Sequence, residues 1–436
     1  MVTPLYPPSL PLRPVSGPVQ AEVALPGSKS ITNRALLLAA LADGTSRLLS
    51  PLHSEDTAYM TEALRDLGVG IEASADGDFI VSGAGGQFSA PAKSPLFIGN
   101  SGTTVRFLTA AACLAPAGTD VVLDGVARMR ERPIRDLLGA LLSLGVACES
   151  VNGHGCPPVR VQGGGMPGGR CRMRGDVSSQ FLSALLQVAP YAARDVEIEI
   201  VGELVSKPYV DITQSVMASF GVMMDNDGYR LLRVRAGQRY GGRDYAVEAD
   251  ASNASYFLAA AAVTGGQVLL QNLGADSIQG DVRFLDVLER MGCTAEWGAT
   301  ITLQGPERLR AIDVNMEAIP DTAQTLAAVA LFADGPSRIS GLSSLRVKET
   351  DRVRAMATEL GKLGARVEEG PDYWVIHPLT EGQAMPAEIE TYADHRMAMA
   401  FAVASLRVPG VTIGDPGCVA KTFPEFWQRW GAAFGG

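Results

Sequence analysis

The chain has 436 residues, of which 47% are hydrophobic and 19% charged, and that length predicts two domains because one compact core would be too large. Its net charge of −10 argues against a nucleic-acid surface, which needs a broad excess of Lys and Arg. The sequence predicts neither an export signal nor a membrane-spanning helix, since its apolar runs are interrupted by glycine or polar residues.

Six alanine-rich segments are predicted to form apolar helices. In chain order they begin at Lys29/Ser30, Gly102/Thr103, Ser178/Ser179, Ser252/Asn253, Asp321/Thr322 and Asp394/His395. Each start is rich in residues that cap helices. Helix N-termini carry partial positive charge and unpaired N–H groups, so several of them directed at one crevice would bind anions.

A second, amphipathic helix follows each of these segments and is predicted to end at a glycine before a short strand. The six glycines are Gly68, Gly145, Gly221, Gly292, Gly364 and Gly431, at spacings of roughly 67 to 77 residues. Strand-like runs such as "VVLDG", "VEIEIVG" and "QVLLQN" lie between the paired helices. The repeat therefore predicts an α/β (α+β) fold of six units, three in each of two domains.

Basic, hydroxyl and acidic residues lie beside the starts of the apolar helices. They are Lys29, Ser30, Arg34, Asn100, Gly102, Thr103, Arg106, Arg128, Ser178, Ser179, Gln180, Ser206, Lys207, Tyr209, Asp321, Lys348, Glu349, Arg352, Asp394, His395, Arg396 and Lys421. Taken singly, such a serine is typical of a helix cap, and His395 is typical of a structural histidine. Their recurrence at one phase of the repeat instead indicates a site for an anionic ligand.

Other kinds of site find little support in the sequence. The four histidines show neither the HExxH pattern nor cysteine partners at ligand spacing, so no metal site is predicted. The run "GGGMPGG" from Gly163 follows no clear strand and opens no helix, which predicts a loop and not a dinucleotide fingerprint. Six widely spaced cysteines predict reduced thiols and a cytoplasmic protein, and a Cys156–Cys171 disulfide stays open.

The motifs, read together, resemble a known family along nearly the whole chain. They are "LPGSKSITNRALLLAALADG", "GNSGTTVRFL", "RMRERPI", "VSSQFLSALL", "VSKPYVDIT", "DASNASYFLAAA", "RVKETDR", "DHRMAMAFA" and "AKTFPEF". In this order they are similar to the 5-enolpyruvylshikimate-3-phosphate (EPSP) synthases, enolpyruvyl transferases also called 3-phosphoshikimate 1-carboxyvinyltransferases. No single motif is as specific as the ordered set.

The resemblance implies transfer of the enolpyruvyl group of phosphoenolpyruvate to the 5-hydroxyl of shikimate 3-phosphate, with release of phosphate, in the shikimate pathway toward chorismate and aromatic amino acids. The reaction proceeds by addition and elimination through a tetrahedral intermediate. The resemblance also implies two pseudo-threefold domains of three βαβαββ units, 28–247 and 1–27 with 248–436, and an active site in the cleft between them. No metal or organic cofactor is implied, and we expect a cytoplasmic monomer whose partners are its small-molecule substrates.

The resemblance further implies the site residues. Shikimate 3-phosphate is expected to bind Lys29, Ser30, Arg34, Ser178, Ser179, Gln180, Ser206, Tyr209, Asp321, Ser344 and Lys348. Phosphoenolpyruvate is expected to bind Lys29, Asn100, Gly102, Thr103, Gln180, Arg128, Arg352, Arg396 and Lys421. The catalytic residues implied are Lys29, Asp321, Glu349, His395 and Lys421, with Asp321 the base at the 5-hydroxyl and Glu349 exchanging the methylene proton.

Several alternatives stay open at the level of sequence. Lys29 or Lys421 could supply the proton instead of Glu349. The chain departs from many relatives at Thr104, Phe107 and Ser344, which leaves its response to glyphosate undecided, although Gly102 favours sensitivity. The sister transferase that acts on UDP-N-acetylglucosamine shares the implied fold, and a six-repeat chain could also be a non-catalytic scaffold or nucleic-acid clamp.

Overall fold

The computed structural model describes residues 6–176 and 178–435. These residues form two compact units: Gly27–Glu248, called the first unit below, and 6–26 with 249–435, called the second unit. Within the described ranges, every helix is too short or too polar to cross a bilayer.

The helices are α1 (Lys29–Leu41), α2 (Glu55–Asp66), α3 (Gly102–Ala111), α4 (Arg135–Ser143), α5 (Ser179–Val188), α6 (Lys207–Ser219), α7 (Ala251–Thr264), α8 (Phe284–Arg290), α9 (Ala323–Ala330), α10 (Arg352–Lys362), α11 (His395–Ser405) and α12 (Phe426–Phe434). Short 3-10 helices span Ala112–Leu114, Met129–Glu131, Ala189–Tyr191, Gly280–Arg283, Pro320–Thr322, Ser343–Val347 and Pro416–Lys421.

The strands are β1 (Ser9–Pro11), β2 (Gln20–Val23), β3 (Thr45–Leu49), β4 (Gly70–Ala73), β5 (Phe79–Ser82), β6 (Leu96–Phe97), β7 (Asp120–Asp124), β8 (Cys148–Ser150), β9 (Val159–Gln162), β10 (Gly169–Arg174), β11 (Val196–Val201), β12 (Met224–Asp227), β13 (Leu231–Val234), β14 (Asp244–Ala246), β15 (Gln267–Leu270), β16 (Thr294–Trp297), β17 (Ile301–Gln304), β18 (Asp313–Asn315), β19 (Ser337–Ser340), β20 (Val367–Glu369), β21 (Tyr373–Ile376), β22 (Ala387–Ile389) and β23 (Val411–Gly414).

The first unit repeats one sheet pattern three times, in the orders β14-β3-β5-β4, β6-β7-β9-β8 and β10-β11-β13-β12. In each sheet the first pair is parallel and the other two pairs are antiparallel. Strand β14 comes from the end of the unit and pairs with β3 near its beginning, Asp244 opposite Arg47. This long-range pair closes the unit on itself.

The second unit repeats the pattern in β2-β15-β17-β16 and β18-β19-β21-β20. Its last sheet has three strands, in which β22 pairs with β23 in parallel and β1 pairs with β23 antiparallel. The sixth repeat is therefore shortened, and a strand from the N-terminal segment completes its sheet. The proline-rich start thus contributes a strand, with Ser9 opposite Gly414.

The alanine-rich helices form the cores of the two units. All ten residues of α3 are buried, and so are nearly all residues of α1 and α7. Helix α3 packs against α5 in the first unit, while α11 packs against α9 and α7 in the second. Small side chains allow these helices to approach closely, and burial on every face explains why they are apolar all round. The predicted helix starts are correct to within two residues.

Five of the six repeated glycines terminate helices in the left-handed region. The φ angles of Gly68, Gly145, Gly221, Gly292 and Gly364 are 89°, 86°, 91°, 107° and 94°. The sixth prediction is wrong, because Gly431 lies inside α12, which continues to Phe434 and ends at Gly435 with φ 69°.

The glycine-rich run at Gly163 also differs from its prediction in one respect. It directly follows strand β9 and leads into β10, so the expectation that no strand precedes it is wrong, whereas it opens no helix. The disulfide left open by the sequence is absent among the described residues, where Cys156 and Cys171 are free thiols.

Candidate active site

The start of α1 places Lys29 and Arg34 in different surroundings. Lys29 is the first residue of the helix, and its Nζ lies 3.8 Å from Oδ2 of Asp56, with 13% of its side chain exposed. Arg34 lies one turn later and is buried. Burial lowers the pKa of Arg34 to about 10, which leaves the guanidinium charged at neutral pH. A charged arginine inside an apolar helix bundle needs partners from the protein.

Hydrogen bonds satisfy most of the Arg34 guanidinium. Its Nε donates to Thr213 Oγ1 at 2.8 Å, and its Nη1 donates to the carbonyl of Ser30 at 2.8 Å. Its Nη2 donates to Ser183 Oγ and to the carbonyl of Tyr209, both at 3.1 Å. The guanidinium thereby joins α1 to α5 and α6. Ser30 and Tyr209, both predicted site residues, are thus brought to Arg34.

Two arginines donate hydrogen bonds to predicted site residues at or near the start of α3. Arg106 Nη1 donates to the carbonyl of Gly102 at 2.9 Å and to Gln180 Oε1 at 3.1 Å. Arg132 Nη1 donates to the carbonyl of Asn100 at 3.0 Å. A Cβ atom on Gly102 would overlap both guanidinium groups, which is a local reason for glycine at this position. Arg132 was not among the predicted site residues.

Other predicted residues of the first unit lie at helix starts. Ser178 caps α5, and its Oγ accepts from the backbone N of Gln180 at 3.3 Å. Ser206 precedes α6 with φ 56°, a left-handed conformation that is unusual for serine. Thr103 is buried in the first turn of α3, and Ser179 is buried in the first turn of α5.

Arg128 is more exposed than Lys29, Arg34 and Arg106, although less exposed than Lys207. Its side chain is 32% exposed, and its Nη1 lies 2.8 Å from Oε2 of Glu131. It directly precedes the 3-10 helix Met129–Glu131, in the same segment as Arg132. The described contacts therefore place Arg128 on a charged surface segment.

In the second unit three predicted cations converge on Asp321. Arg396 Nη2 lies 2.8 Å from Asp321 Oδ2, while Arg352 Nη1 and Lys348 Nζ lie 3.3 and 3.7 Å from Oδ1. Arg396 Nη1 also donates to the Asp321 carbonyl at 3.0 Å. Asp321 lies in the 3-10 helix before α9, so the convergence joins segments that are 27 to 75 residues apart in sequence.

Arg352 is the centre of this group. It is 1% exposed, and its Nη2 lies 2.8 Å from Glu349 Oε2. Its Nε and Nη2 donate to the two oxygens of Asp394 at 2.7 and 3.1 Å. Burial alone would lower the pKa of the guanidinium, but the carboxylates of Asp394, Glu349 and Asp321 raise that pKa above its usual value.

The remaining predicted residues of the second unit lie near Glu349 and α11. Lys421 Nζ lies 3.8 Å from Glu349 Oε1, and both side chains are buried. His395 is the first residue of α11 and is buried, with its Nδ1 3.4 Å from Asp394 Oδ1. Ser344 lies in the 3-10 helix Ser343–Val347, next to the segment that carries Lys348.

Comparison with known proteins decides the family. A family model described as EPSP synthase (3-phosphoshikimate 1-carboxyvinyltransferase) matches residues 15–430. The chain belongs to the EPSP synthase family. A chloroplastic 3-phosphoshikimate 1-carboxyvinyltransferase of Brassica napus is 51% identical over 96% of this chain and 83% of its own. The enzyme of that name from Photobacterium profundum is 49% identical over 97% of this chain and 98% of its own.

Solved structures agree with this assignment. An EPSP synthase from Acinetobacter baumannii, solved at 2.37 Å, is 28% identical and superposes with a TM-score of 0.81 over 98% of both chains. The predicted fold class is therefore confirmed, and so is the family resemblance.

Sequence reasoning missed the roles of several polar residues at the site of this EPSP synthase family member. Asp394 was among the candidate residues beside the helix starts, but its role in holding Arg352 was not predicted. Asp281 is buried and accepts a hydrogen bond from Ser252 Oγ. Burial, and then the charge of Asp321, raise the pKa of Asp281 to about 6. The motifs around Asp394 and Asp281, "DHR" and "QGDVR", do not indicate the partners of these two carboxylates, because the partners are distant in sequence.

Proposed function

We propose that the chain catalyses transfer of the enolpyruvyl group of phosphoenolpyruvate to the 5-hydroxyl of shikimate 3-phosphate, yielding 5-enolpyruvylshikimate 3-phosphate and phosphate. Family membership supports the reaction. The observation that supports the proposal for this chain is the partly buried group around Asp321, in which Arg352, Arg396 and Lys348 surround one carboxylate.

The charge of the substrates explains why such a group is needed. Two phosphate groups and two carboxylates together carry roughly five or six negative charges near neutral pH. Two unit anions about 5 Å apart repel each other by roughly 3 kcal/mol at an effective dielectric constant near 20. Several such pairs form when both substrates bind, so one lysine could not offset the repulsion. Buried cations held in place before binding lower this cost.

The proposal keeps the residues expected for each substrate. Shikimate 3-phosphate binds Lys29, Ser30, Arg34, Ser178, Ser179, Gln180, Ser206, Tyr209, Asp321, Ser344 and Lys348. Phosphoenolpyruvate binds Lys29, Asn100, Gly102, Thr103, Arg128, Gln180, Arg352, Arg396 and Lys421. Besides binding shikimate 3-phosphate, Arg34 is proposed to hold Ser30 and Tyr209 in place, because it donates hydrogen bonds to both of their carbonyls.

The chemical steps need a base and a proton donor. In the addition step the 5-hydroxyl oxygen bonds to C2 of phosphoenolpyruvate, its proton passes to Asp321, and a proton is added at C3. In the elimination step a C3 proton leaves and the C–O bond to phosphate breaks. Glu349 lies between Arg352 and Lys421, and neighbouring cations favour the ionised carboxylate. Glu349 is thus suited to removing the C3 proton, and Lys421 or Lys29 to donating one.

Phosphate release measured with alternative acceptors tests the proposal. Shikimate 3-phosphate should support turnover with phosphoenolpyruvate, and UDP-N-acetylglucosamine should not. The sister transferase usually relies on a cysteine in a mobile loop. Here Cys113 is buried in a 3-10 helix, and burial raises its pKa to about 12, which disfavours a reactive thiolate. Turnover with the UDP-sugar alone would reject the proposal.

We further propose a cytoplasmic monomer that binds neither nucleic acid nor membranes. The net charge of −10 supports this because an acidic protein is repelled by anionic polymers and by anionic lipid surfaces. Sedimentation of the purified chain tests the monomer. Tight DNA binding that weakens with salt would contradict the proposal.

A further inference from the structure

A short loop carries two of the proposed site residues in the second unit. It runs from Arg346, near the end of the 3-10 helix Ser343–Val347, to Asp351, the residue before α10. Lys348 and Glu349 lie between these two residues. Arg346 Nη1 donates to the two carboxylate oxygens of Asp351 at 3.2 and 2.9 Å. The ion pair therefore closes the loop at its base and leaves Lys348 and Glu349 in its middle.

The other hydrogen bonds of Arg346 anchor this loop to the turn between β20 and β21. Its Nε donates to the carbonyl of Pro371 at 2.7 Å. Its Nη2 donates to the carbonyl of Gly370 at 2.6 Å and to Glu369 Oε1 at 3.0 Å. Five hydrogen bonds engage the guanidinium, which has five N–H donors in all. The base of the loop is thus held from two directions.

Asp351 also connects the base of the loop to α10. Its Oδ1 accepts from the backbone N of Arg354 at 3.1 Å, which makes Asp351 the N-cap of the helix. The next residue is Arg352, which contacts Glu349 and Asp321. One guanidinium therefore connects the turn between β20 and β21, a helix cap and the loop that carries Lys348 and Glu349.

The exposure of these groups indicates that Arg346 matters more for the position of the loop than for the stability of the protein. Its side chain is 27% exposed, and the carboxylates of Asp351 and Glu369 are also partly exposed. Ion pairs in such surroundings contribute little to the free energy of unfolding. A planar guanidinium, in contrast, fixes the directions of all its partners, which a lysine ammonium with three rotating donors cannot do.

We propose that Arg346 is a positioning residue for the transferase reaction. It holds the Arg346–Asp351 loop so that Lys348 meets shikimate 3-phosphate and Glu349 meets the methylene carbon of phosphoenolpyruvate. Arg346 touches neither substrate and transfers no proton. The inference rests on the proposed function, because Lys348 and Glu349 have these roles only in that reaction.

The variants Arg346→Lys and Arg346→Ala test it, with Arg429→Lys and Arg429→Ala as matched controls. Arg429 is also a partly exposed arginine of the second unit that joins a carboxylate, Glu425, to a backbone carbonyl, that of Ala24. We measure kcat, both KM values, the pH profile of kcat/KM and the thermal midpoint. Misplaced groups commonly cost about tenfold to a hundredfold in rate.

We expect Arg346→Ala to lower kcat at least about tenfold at a temperature where it stays folded, and to shift the pH profile, because Glu349 no longer faces its cations in the same geometry. Added guanidinium, below denaturing concentrations, should restore part of kcat. Arg346→Lys should fall between wild type and Arg346→Ala. The Arg429 variants should keep kcat and the pH profile.

Two results would overturn the inference. One is an Arg346→Ala variant with the kcat and pH profile of the Arg429→Ala control. The other is a loss of rate that follows the unfolded fraction and that guanidinium does not restore. Wild-type protein without transferase activity would instead reject the proposed function, so the two failures are distinguishable.

Discussion

Arg352 donates two hydrogen bonds to Asp394, from Nε to Oδ2 at 2.7 Å and from Nη2 to Oδ1 at 3.1 Å, and both residues are almost completely buried. The same carboxylate caps α11, since Oδ1 accepts from the backbone N of Arg396 at 3.0 Å. The Asp394 carboxylate therefore fixes two cations proposed to bind phosphoenolpyruvate. It holds the side chain of Arg352 and the backbone of Arg396.

Replacement of Asp394 by Asn should destabilise the protein and weaken the binding of phosphoenolpyruvate. Asparagine caps a helix as well as aspartate does, so the change isolates the ion pair. Removing one partner of a buried pair costs about 3 to 5 kcal/mol. We expect a loss of this order in the free energy of unfolding, measured in urea, and a raised KM for phosphoenolpyruvate. Asp286→Asn, which breaks an exposed pair with Arg283, should cost less than about 1 kcal/mol. Equal small losses in both variants would contradict the prediction.

Asp321→Ala should fold and yet lose most turnover. Removing a general base typically lowers kcat by about a hundredfold or more. The variant also leaves Arg352, Arg396 and Lys348 without this shared carboxylate, so added sulfate should stabilise it more than it stabilises wild type. Steady-state kinetics and thermal melts with and without sulfate measure both effects. A kcat like that of wild type would remove Asp321 from its role as the base.

Gly102→Ala should weaken binding at the start of α3. The new methyl group would overlap the guanidinium groups of Arg106 and Arg132, so both must move. We expect a raised KM for phosphoenolpyruvate and weaker inhibition by glyphosate than in wild type, which itself should be inhibited. The control is Gly139→Ala in α4, where an added Cβ meets no atom within 4 Å. That variant should keep its kinetics and gain up to about 1 kcal/mol of stability. Wild-type protein that stays uninhibited at millimolar glyphosate would reject the expected sensitivity.

Ala393→Asn should stabilise the protein. Tyr392 and Ala393 both have left-handed backbones, with φ 54° and 52°, directly before the Asp394 cap. Asparagine tolerates this region better than alanine, and Ala393 is exposed, so the new side chain has room. We expect a gain of up to about 1 kcal/mol in chemical denaturation. Ala357→Asn in the interior of α10 should instead destabilise by a few tenths of a kcal/mol. A lower free energy of unfolding in Ala393→Asn than in wild type would show that asparagine does not relieve the backbone strain at this position.

Asp281 should make stability fall as the pH rises from about 4 to about 6. Its pKa is raised from 3.8 to about 6, so the native state keeps a proton that the unfolded chain releases over this range. Burial and the charges of Asp321 and Asp250 raise the pKa, whereas Ser252 and Arg396 oppose the shift. Asp281→Asn cannot titrate, so its unfolding free energy relative to wild type should increase with pH and level off above about 6. A difference that does not vary between pH 4 and pH 7 would contradict this assignment.

Local sequence signals were sufficient for most of the fold. Cap residues predicted the helix starts, and glycine predicted five helix ends, because both depend on the conformation of a few neighbouring residues. The prediction failed at Gly431, because helix α12 continues past this glycine to Phe434. Strand β1 could not be assigned to its sheet from sequence, because its partner, β23, lies about 400 residues away.

The sequence by itself determined the repeat and the family, and it indicated the residue types proposed for the site. Only the tertiary structure decided which carboxylate meets which cation. Arg352, for example, meets Asp321 and Asp394, which lie 31 and 42 residues away. The physical reason is that helix caps and turns are local hydrogen-bonding choices, whereas a buried ion pair forms where packing removes water from groups of distant origin.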